Sequence, residues 1–452
     1  MTKPEKLARA ALPHRRDTFA GVAQVNRLAA STGLEAIADS AARTLIPLIA
    51  VGLLGADAAT VGIIGGLSTI SFLLLGHLAG TLVDRTNPVP LMAAADAVRS
   101  LALLTVLIMA WSGGLRIGVL LLAVAMIGVA DVFYTAASAV IVPSLVANPD
   151  IARATARVFS TNTIANTVGP VVVSMGIAVV GLVTPVVAPM ALYLLSAGVA
   201  LSLRRRVAAG RQAGGLAEAA PGEPSDRGVW GIRACWSFIL GERHIRPIVL
   251  SNLCMNMGAA LGNAVLIVFV VTELGLAEAI VGLGLAVAAV GAVLGAAVAG
   301  RLTSKWGIGA TRISGCLLAA FGVPCVLVCA AGGGWLPQLG YLLTELGWST
   351  GIAVAIVSGS GIVPRIAPRA MLGRISANIQ ALTLGVMSLC SIGGGALAVW
   401  AGNAPVLLLW SALALGAAVL ILSSPLRTWR GFPSELDSGS GDTGRQRPRP
   451  VG

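Results

Sequence analysis

Residues 62–85 read GIIGGLSTISFLLLGHLAGTLVDR, and residues 279–305 read AIVGLGLAVAAVGAVLGAAVAGRLTSK. Each is an apolar run long enough to cross a bilayer, whose hydrocarbon layer of ~30 Å takes about 20 helical residues. Each run also stops in the same way. Gly80-Thr-Leu82-Val-Asp84-Arg85 closes the first and Gly300-Arg-Leu302-Thr-Ser304-Lys305 the second. A second pair, Ile141-Val-Pro143 and Ile362-Val-Pro364, closes two later apolar runs at nearly the same offset. Two matches in one register, both at the ends of corresponding segments, indicate that a six-span unit has been duplicated. Parallel repeats of this kind are a transporter architecture, with a substrate site where the repeats meet.

Outward from these runs, the hydropathy predicts helices over 25–53, 59–83, 89–111, 116–141, 158–182, 185–203, 246–272, 279–302, 309–331, 336–362, 375–400 and 404–423. Backbone polar groups in lipid must bond internally, so each span is expected as helix and the fold as all-α. Turn chemistry marks the breaks: Gly55-Ala-Asp57, Thr86-Asn-Pro88, Asn148-Pro-Asp150, Thr184-Pro185, Gly332-Gly-Gly334 and Gly402-Asn403. The bases fall in alternate gaps. Lys3 to Arg16 precede the first span, Arg85 follows the second, and Arg153 and Arg157 follow the fourth. Arg204 to Arg246 follow the sixth, Arg301, Lys305 and Arg312 the eighth, Arg365 to Arg374 the tenth, and Arg427 and Arg430 the last. The other gaps hold a single base, Arg116. Loops rich in Lys and Arg stay cytoplasmic, so both termini are expected there.

Charged residues make up 11% of the chain, well under the roughly 25% of soluble domains, and the mean hydropathy is +0.88. The net charge of +12 does not indicate nucleic-acid binding, because the bases follow topology and no aromatic platform accompanies them. They are placed to meet anionic lipid headgroups. The polar start runs into a full-length span, so no cleavable leader is expected. Arg in excess of Lys, with abundant Ala and Gly, fits a GC-rich bacterial genome and hence a bacterial plasma membrane. Cys235, Cys254, Cys316, Cys325, Cys329 and Cys390 are expected as free packing thiols, since no His or further Cys completes a metal set. The expected divisions are a cytoplasmic segment at 1–24, a six-helix half at 25–203, a linker at 204–245, a second half at 246–423 and a disordered tail at 424–452. Within the linker, 210–228 has a flexible composition and Trp230–Arg246 is amphipathic, as a helix lying on the membrane surface would be.

Charges inside a membrane are costly, so they face a cavity or a partner. Glu35, Asp39 and Arg43 lie at i, i+4 and i+8 on one face of the first span. Asp39 and Arg43 have acid-first spacing for an ion pair. Glu35 then lacks a local cation, the setting in which a carboxyl carries a proton, although all three also suit a purely helix-joining role. Asp131 in the fourth span and Glu345 in the tenth are further acids at mid-membrane depth, and Asp131 is equally suited to anchoring an Arg on a neighbouring helix. Tyr134, Asn252, Asn256, Asn263, Tyr341, Trp348 and Gln380 are polar or aromatic residues able to orient a ligand, though each type also serves helix packing. Gly62, Gly65, Gly66, Gly76 and Gly80, with Gly291, Gly295 and Gly300, suit close helix approach. Gly295 to Gly300 begins like a phosphate loop, but Arg301-Leu302 follows in place of Lys-Ser/Thr. With no nucleotide site, cofactor loop, metal set or nucleophile–base pair, the expectation is a transporter driven by a gradient rather than an enzyme.

Gly80-x-Leu82-x-Asp84-Arg85, then Asp96-Ala-Val-Arg99, Pro143-Ser-Leu145, Gly169-Pro170 and Gly373-Arg374 stand in an order that resembles the major facilitator superfamily. The likeness extends over about residues 20–425. It is strongest to the bacterial twelve-helix exporter branch that includes macrolide-efflux-type and enterobactin-exporter-like proteins. The resemblance implies two pseudo-symmetric six-helix halves and a cavity lined by helices one, four, seven and ten, hence by Glu35, Asp39, Asp131 and Glu345. It also implies a conformational switch at Gly80, Asp84, Arg85, Asp96 and Arg99, with Asp84 meeting the start of helix eleven. Three departures stand out. Asn87-Pro88-Val89 replaces further basic residues, Gly169-Pro170 lacks a following glycine pair, and the fourth span carries Asp131 in place of a buried Arg. The resulting expectation is a monomeric secondary transporter. It exports small amphipathic molecules by alternating access in exchange for protons. Lipid, siderophore or metabolite transport, or a non-transporting receptor or accessory subunit, are the alternatives.

Overall fold

A computed structural model of the chain describes residues 15–145, 148–204, 207, 236–360, 362–366 and 372–429. The described residues are helical throughout, with no strand among them. They divide between two compact units, Met1–Pro224 with Ala277–Gly282, and Ser225–Leu276 with Leu283–Gly452.

The first unit holds α1 (Arg15–Leu54), α2 (Ala58–Arg85), α3 (Pro88–Trp111), α4 (Ile117–Ala139), α5 (Asn148–Val180) and α6 (Val187–Leu201). The second holds α7 (Ile245–Val268), most of α8 (Glu278–Trp306), α9 (Ile308–Gly322), α10 (Leu336–Gly359), α11 (Leu372–Ala401) and α12 (Asn403–Leu422). Among the described residues, eleven helices are long and apolar enough to cross a membrane. In α5 the apolar stretch is Val168–Ile177. Neighbour pairs recur between the units. The α1–α5, α1–α6, α3–α4 and α3–α6 contacts of the first reappear as α7–α11, α7–α12, α9–α10 and α9–α12 in the second. The duplication inferred from two short sequence matches is therefore present in the packing.

Local chemistry sets the helix ends. Asp57 caps α2, accepting from the Thr60 backbone N–H at 2.9 Å and from its hydroxyl at 2.6 Å. Asn87 caps α3 through the Val89 N–H at 3.1 Å, with Pro88 in the first turn. The residues that replace a basic loop after Arg85 are thus a helix-start signal. Gly307, with φ at 89°, makes the one-residue turn from α8 to α9 that a side chain would strain.

Close helix approach occurs at particular glycines. A Cβ on Gly169 of α5 would lie 2.7 Å from the Ile37 carbonyl of α1, and one on Gly128 of α4 would lie 2.9 Å from the Leu67 carbonyl of α2. In the second unit, Gly258 and Gly262 form the notch that seats Trp410 of α12, whose ring meets the edge of Trp348 at 4.7 Å. Gly291 and Gly295 of α8 press on Thr350 of α10, whereas Gly76, Gly80 and Gly300 border open space.

Several boundaries differ from expectation. α1 starts at Arg15 rather than 25, and α5 at Asn148 rather than 158. Asn148-Pro149 heads a helix, where the N–H that proline lacks would have had no helical acceptor in any case. Pro324 interrupts the ninth span between Gly322 and Cys325, after which Cys325–Ala330 resumes as helix. The end of the seventh span, Phe269–Glu273, is a π-helix. In the expected surface helix only 236–241 is described as helical before α7, with Ile239 packed on Ile245, Val249 and Ile375. The expected flexible stretch 210–228 lies outside the described residues, as does the tail from 430. Pro425–Thr428, placed in the tail by sequence, is a 3₁₀ turn, and the Trp429 carbonyl just after it accepts from Ile308 N–H at 2.8 Å. The five described cysteines are free thiols, and Cys235 lies outside the described residues.

Candidate functional site

The charges of the first unit converge inside it. Arg43 donates to Asp39 on the next turn of α1 at 2.7 Å, and to Asp131 of α4 at 2.9 Å. Asp131 uses its other oxygen to pair with Arg99 of α3. Arg99 also binds Glu35 of α1 at 2.7 Å and Asp96, one turn before it, at 3.2 Å. Its guanidinium lies 4.8 Å from the Tyr134 ring centre and 5.2 Å from that of Tyr193, both within cation–π range. The result is one connected chain, Asp39–Arg43–Asp131–Arg99, with Glu35 and Asp96 attached to its inner arginine.

Burial grades along this chain. The side chains of Arg99 and Asp96 are fully sealed, while that of Arg43 is 42% exposed. A guanidinium taken wholly out of water is tolerated only when well paired, which accounts for three carboxylates around Arg99. At the open end, Asp39, Arg43 and Asp131 form the polar wall of a cavity of about 120 Å³, completed by Ser68, Ile46, Ile64 and neighbours. Asp39 keeps Oδ1 buried with no hydrogen-bond partner. A buried acceptor left open is costly and is commonly met by a water, proton or ligand. Four carboxylates face two guanidiniums, so the fully ionised cluster carries two uncompensated negative charges.

The sequence spacing identified Asp39 with Arg43 but left Glu35 without a cation; Arg99 supplies it from α3. Asp96 and Arg99, expected at the conformational switch, are core members of the cluster. Of that switch set, Gly80 borders open space and Arg85 is exposed, while the Asp84 side chain lies outside those described. Tyr193 was not anticipated. A signal for it existed, because the chain has only three tyrosines, Tyr134, Tyr193 and Tyr341, all within spans. Tyr134 and Tyr193 stand beside the buried Arg99, and Tyr341 hydrogen-bonds the ionisable side chain of Glu345 one turn on.

The remaining candidates lie in the second unit and do not gather into one polar site. Tyr341 is buried against Gly284, and Trp348 is buried against Trp410. Asn252 accepts from Arg312 at 2.5 Å and, through its carbonyl, from Asn256 at 2.8 Å. Asn263 and Gln380 are exposed. Among the described residues no group of three or more His, Cys, Asp or Glu is arranged to hold a metal ion.

The family model described as Major Facilitator Superfamily matches residues 28–381 of this chain. No curated protein matches it. Among solved structures, it is similar to the nucleoside transporter NupG, with 15% identity over 88% of this chain and 98% of that one and a TM-score of 0.64. It is similar to a bacterial homologue of the iron transporter ferroportin in an inward-facing state, with 14% identity over 89% and 98% of the two chains and a TM-score of 0.62. A POT family transporter in complex with 5-aminolevulinic acid gives 12% identity over 89% and 96%, with a TM-score of 0.67. These likenesses extend over nearly the whole of each solved chain and show a shared fold, while the family match is what points to a transporter rather than an enzyme.

Proposed function

The chain belongs to the Major Facilitator Superfamily, and from that premise we propose that it exports small amphipathic cations from a bacterial cell in exchange for protons. The reading places it in the plasma membrane as a monomer with both termini in the cytoplasm. The observation that supports it is the charge imbalance of the cluster, four carboxylates to two guanidiniums, beside a cavity with an open oxygen on Asp39. Two protons neutralise that excess in one phase of the cycle. A cationic substrate takes their place at Asp39 and Asp131 in the other, and the displaced protons leave. Glu35 stays in the coupling set, but through Arg99 rather than as an isolated acid. Gly80, Asp84 and Arg85 keep the proposed switching role. Asp96 and Arg99 are reassigned to the cluster.

The second reading is a siderophore, lipid or metabolite cargo bearing an anionic group. The part-exposed guanidinium of Arg43 at the cavity favours it. The discriminating experiment uses purified protein in weak buffer, with tetraphenylphosphonium as the probe cation. Binding should release protons between pH 5 and 8, and Asp39→Asn should lower the number released. In proteoliposomes, uptake of the probe should need a pH gradient. Binding without proton release, together with gradient-independent uptake, would remove the antiport reading.

A further inference from the structure

Residues 236–241, the start of α7 and one turn of α11 enclose a crevice of about 260 Å³ in the second unit. Trp236, Ile239, Leu240, Val249, Leu250 and Leu382 line it, and Arg246 is its one charged member. Ile239 is buried on the α7 side, whereas Leu240 is 52% exposed. The crevice is therefore an apolar slot open on one side, with a guanidinium among its walls. Arg246 and Arg243 are both exposed, and among the described residues neither pairs with a carboxylate. Among the described residues the acid beside them in sequence, Glu242, is held by the His244 ring at 3.0 Å.

This pairing of chemistries selects a kind of ligand. A soluble anion would find one or two exposed bases and no polar donors in the slot. A neutral apolar molecule would make no use of the bases. A molecule with a hydrocarbon tail and an anionic head uses both. Residues 204–246 form the most arginine-rich gap between spans, so the slot opens beside the leaflet that basic loops face. We propose that this crevice is a binding site for one anionic glycerophospholipid of that leaflet, with part of one acyl chain among Trp236, Leu240, Leu250 and Leu382 and the phosphate at Arg246, supported by Arg243.

Selectivity must come from the head. An acyl chain leaving the bilayer for an apolar slot exchanges one hydrocarbon environment for another, so the chain gains little. The phosphate, in contrast, gains fixed cations, whose attraction for anionic lipid is set by charge at the surface. The site should therefore discriminate by headgroup charge at constant acyl chains. A lipid held there would tie the segment after the linker to α7 and α11. The inference rests on the membrane setting and on these side chains, not on the proposed substrate or its coupling ion.

The test uses full-length protein, delipidated in detergent and titrated with dioleoylphosphatidylglycerol or dioleoylphosphatidylcholine, with bound lipid counted by native mass spectrometry. Wild-type protein should bind the first phosphatidylglycerol more tightly than the first phosphatidylcholine. Arg246→Gln should cut that preference about fivefold, the effect of one base near the surface. Leu250→Trp, and Leu382→Trp from the opposite wall, fill the slot without changing charge and should weaken the first binding event for both lipids. Thermal unfolding checks that each variant is folded. Equal wild-type binding of the two lipids overturns the proposal. So does an undiminished preference in Arg246→Gln, or wild-type affinity in both slot-filling variants.

Discussion

Each unit buries an arginine on its third helix, Arg99 on α3 and Arg312 on α9, and the two are satisfied in opposite ways. Arg99 is enclosed by Glu35, Asp96 and Asp131, with Tyr134 and Tyr193 beside its guanidinium. Arg312 is 1% exposed, and its hydrogen-bond partners among the described residues are all neutral: the Ala355 carbonyl at 2.6 Å, Asn252 Oδ1 at 2.5 Å and Ser251 Oγ at 3.3 Å. Ala355 lies in the last turns of α10, which ends at Gly359, and Gly359 leaves room for the guanidinium. Arg312 thus meets the carbonyl end of a helix, which carries a partial negative charge. One scaffold, repeated, holds an ionic network in the first copy and a helix-end clamp in the second. The mid-span acid of the second unit, Glu345, sits with Tyr341 rather than with Arg312. Paired charge inside the spans is therefore concentrated in the first unit, to which the proposed exchange is assigned.

The largest expected effect follows from removing the inner cation. Arg99→Met strands Glu35 and Asp96 and leaves Asp131 with Arg43 alone. Breaking a buried ion pair from one side costs about 3–5 kcal/mol, so this variant should lose most of its folded yield. Size-exclusion and thermal unfolding in detergent would measure it. A stable, well-folded Arg99→Met would mean that the carboxylates are already neutral in the resting protein. The network would then be a proton store rather than a set of ion pairs. Arg312→Met sharpens the contrast. It takes a donor from the Asn252 amide oxygen and the Ser251 hydroxyl, while the Ala355 carbonyl keeps the Ser358 hydroxyl and no charge is stranded, and it should cost about 1–3 kcal/mol. If it proved as damaging as Arg99→Met, the clamp at the end of α10 would carry more of the fold than its neutral partners suggest.

The asymmetry was only half legible in the sequence. The spans were, because a bilayer imposes a length and the basic gaps alternate. The Asp39–Arg43 pair was, because i and i+4 share a helix face. Glu35 with Arg99 was not: the two are 64 residues apart on different helices, and their meeting depends on how α1 and α3 are rotated. Asp131, suited by sequence both to anchoring an arginine on a neighbouring helix and to facing a ligand, bridges two arginines. Arg312 was counted among the loop bases because it lies near the start of a span. Its burial depends on α9 starting at Ile308 and packing against α10, which hydropathy does not report. The break at Pro324 had its signal in the proline itself, whereas nothing in Phe269–Glu273 announced a π-helix.

The smallest expected effect separates helix-end chemistry on the surface from that in the interior. Asp57 and Arg312 both act near helix ends, the first at the start of α2 and the second on a carbonyl in the last turns of α10. Asp57 is largely exposed, and its hydrogen bonds from Thr60 hold its carboxyl below the ordinary carboxylate range. The sign follows from that direction. A carboxyl with a lowered folded-state pKa contributes stability above the unfolded value of about 3.9, and loses it as pH falls through the folded value. Asp57→Ala should therefore cost about 1 kcal/mol at neutral pH, the usual loss for an N-cap. The gap between wild type and variant should narrow only in strongly acidic solution, below pH ~4. Asp57→Asn keeps the acceptor without the charge and should recover most of the loss with no pH dependence of its own. Thermal unfolding of the three proteins at pH 7 and at progressively lower pH provides the check. A gap that stays constant down to the lowest pH would assign the cap to hydrogen bonding alone, with no contribution from the charge.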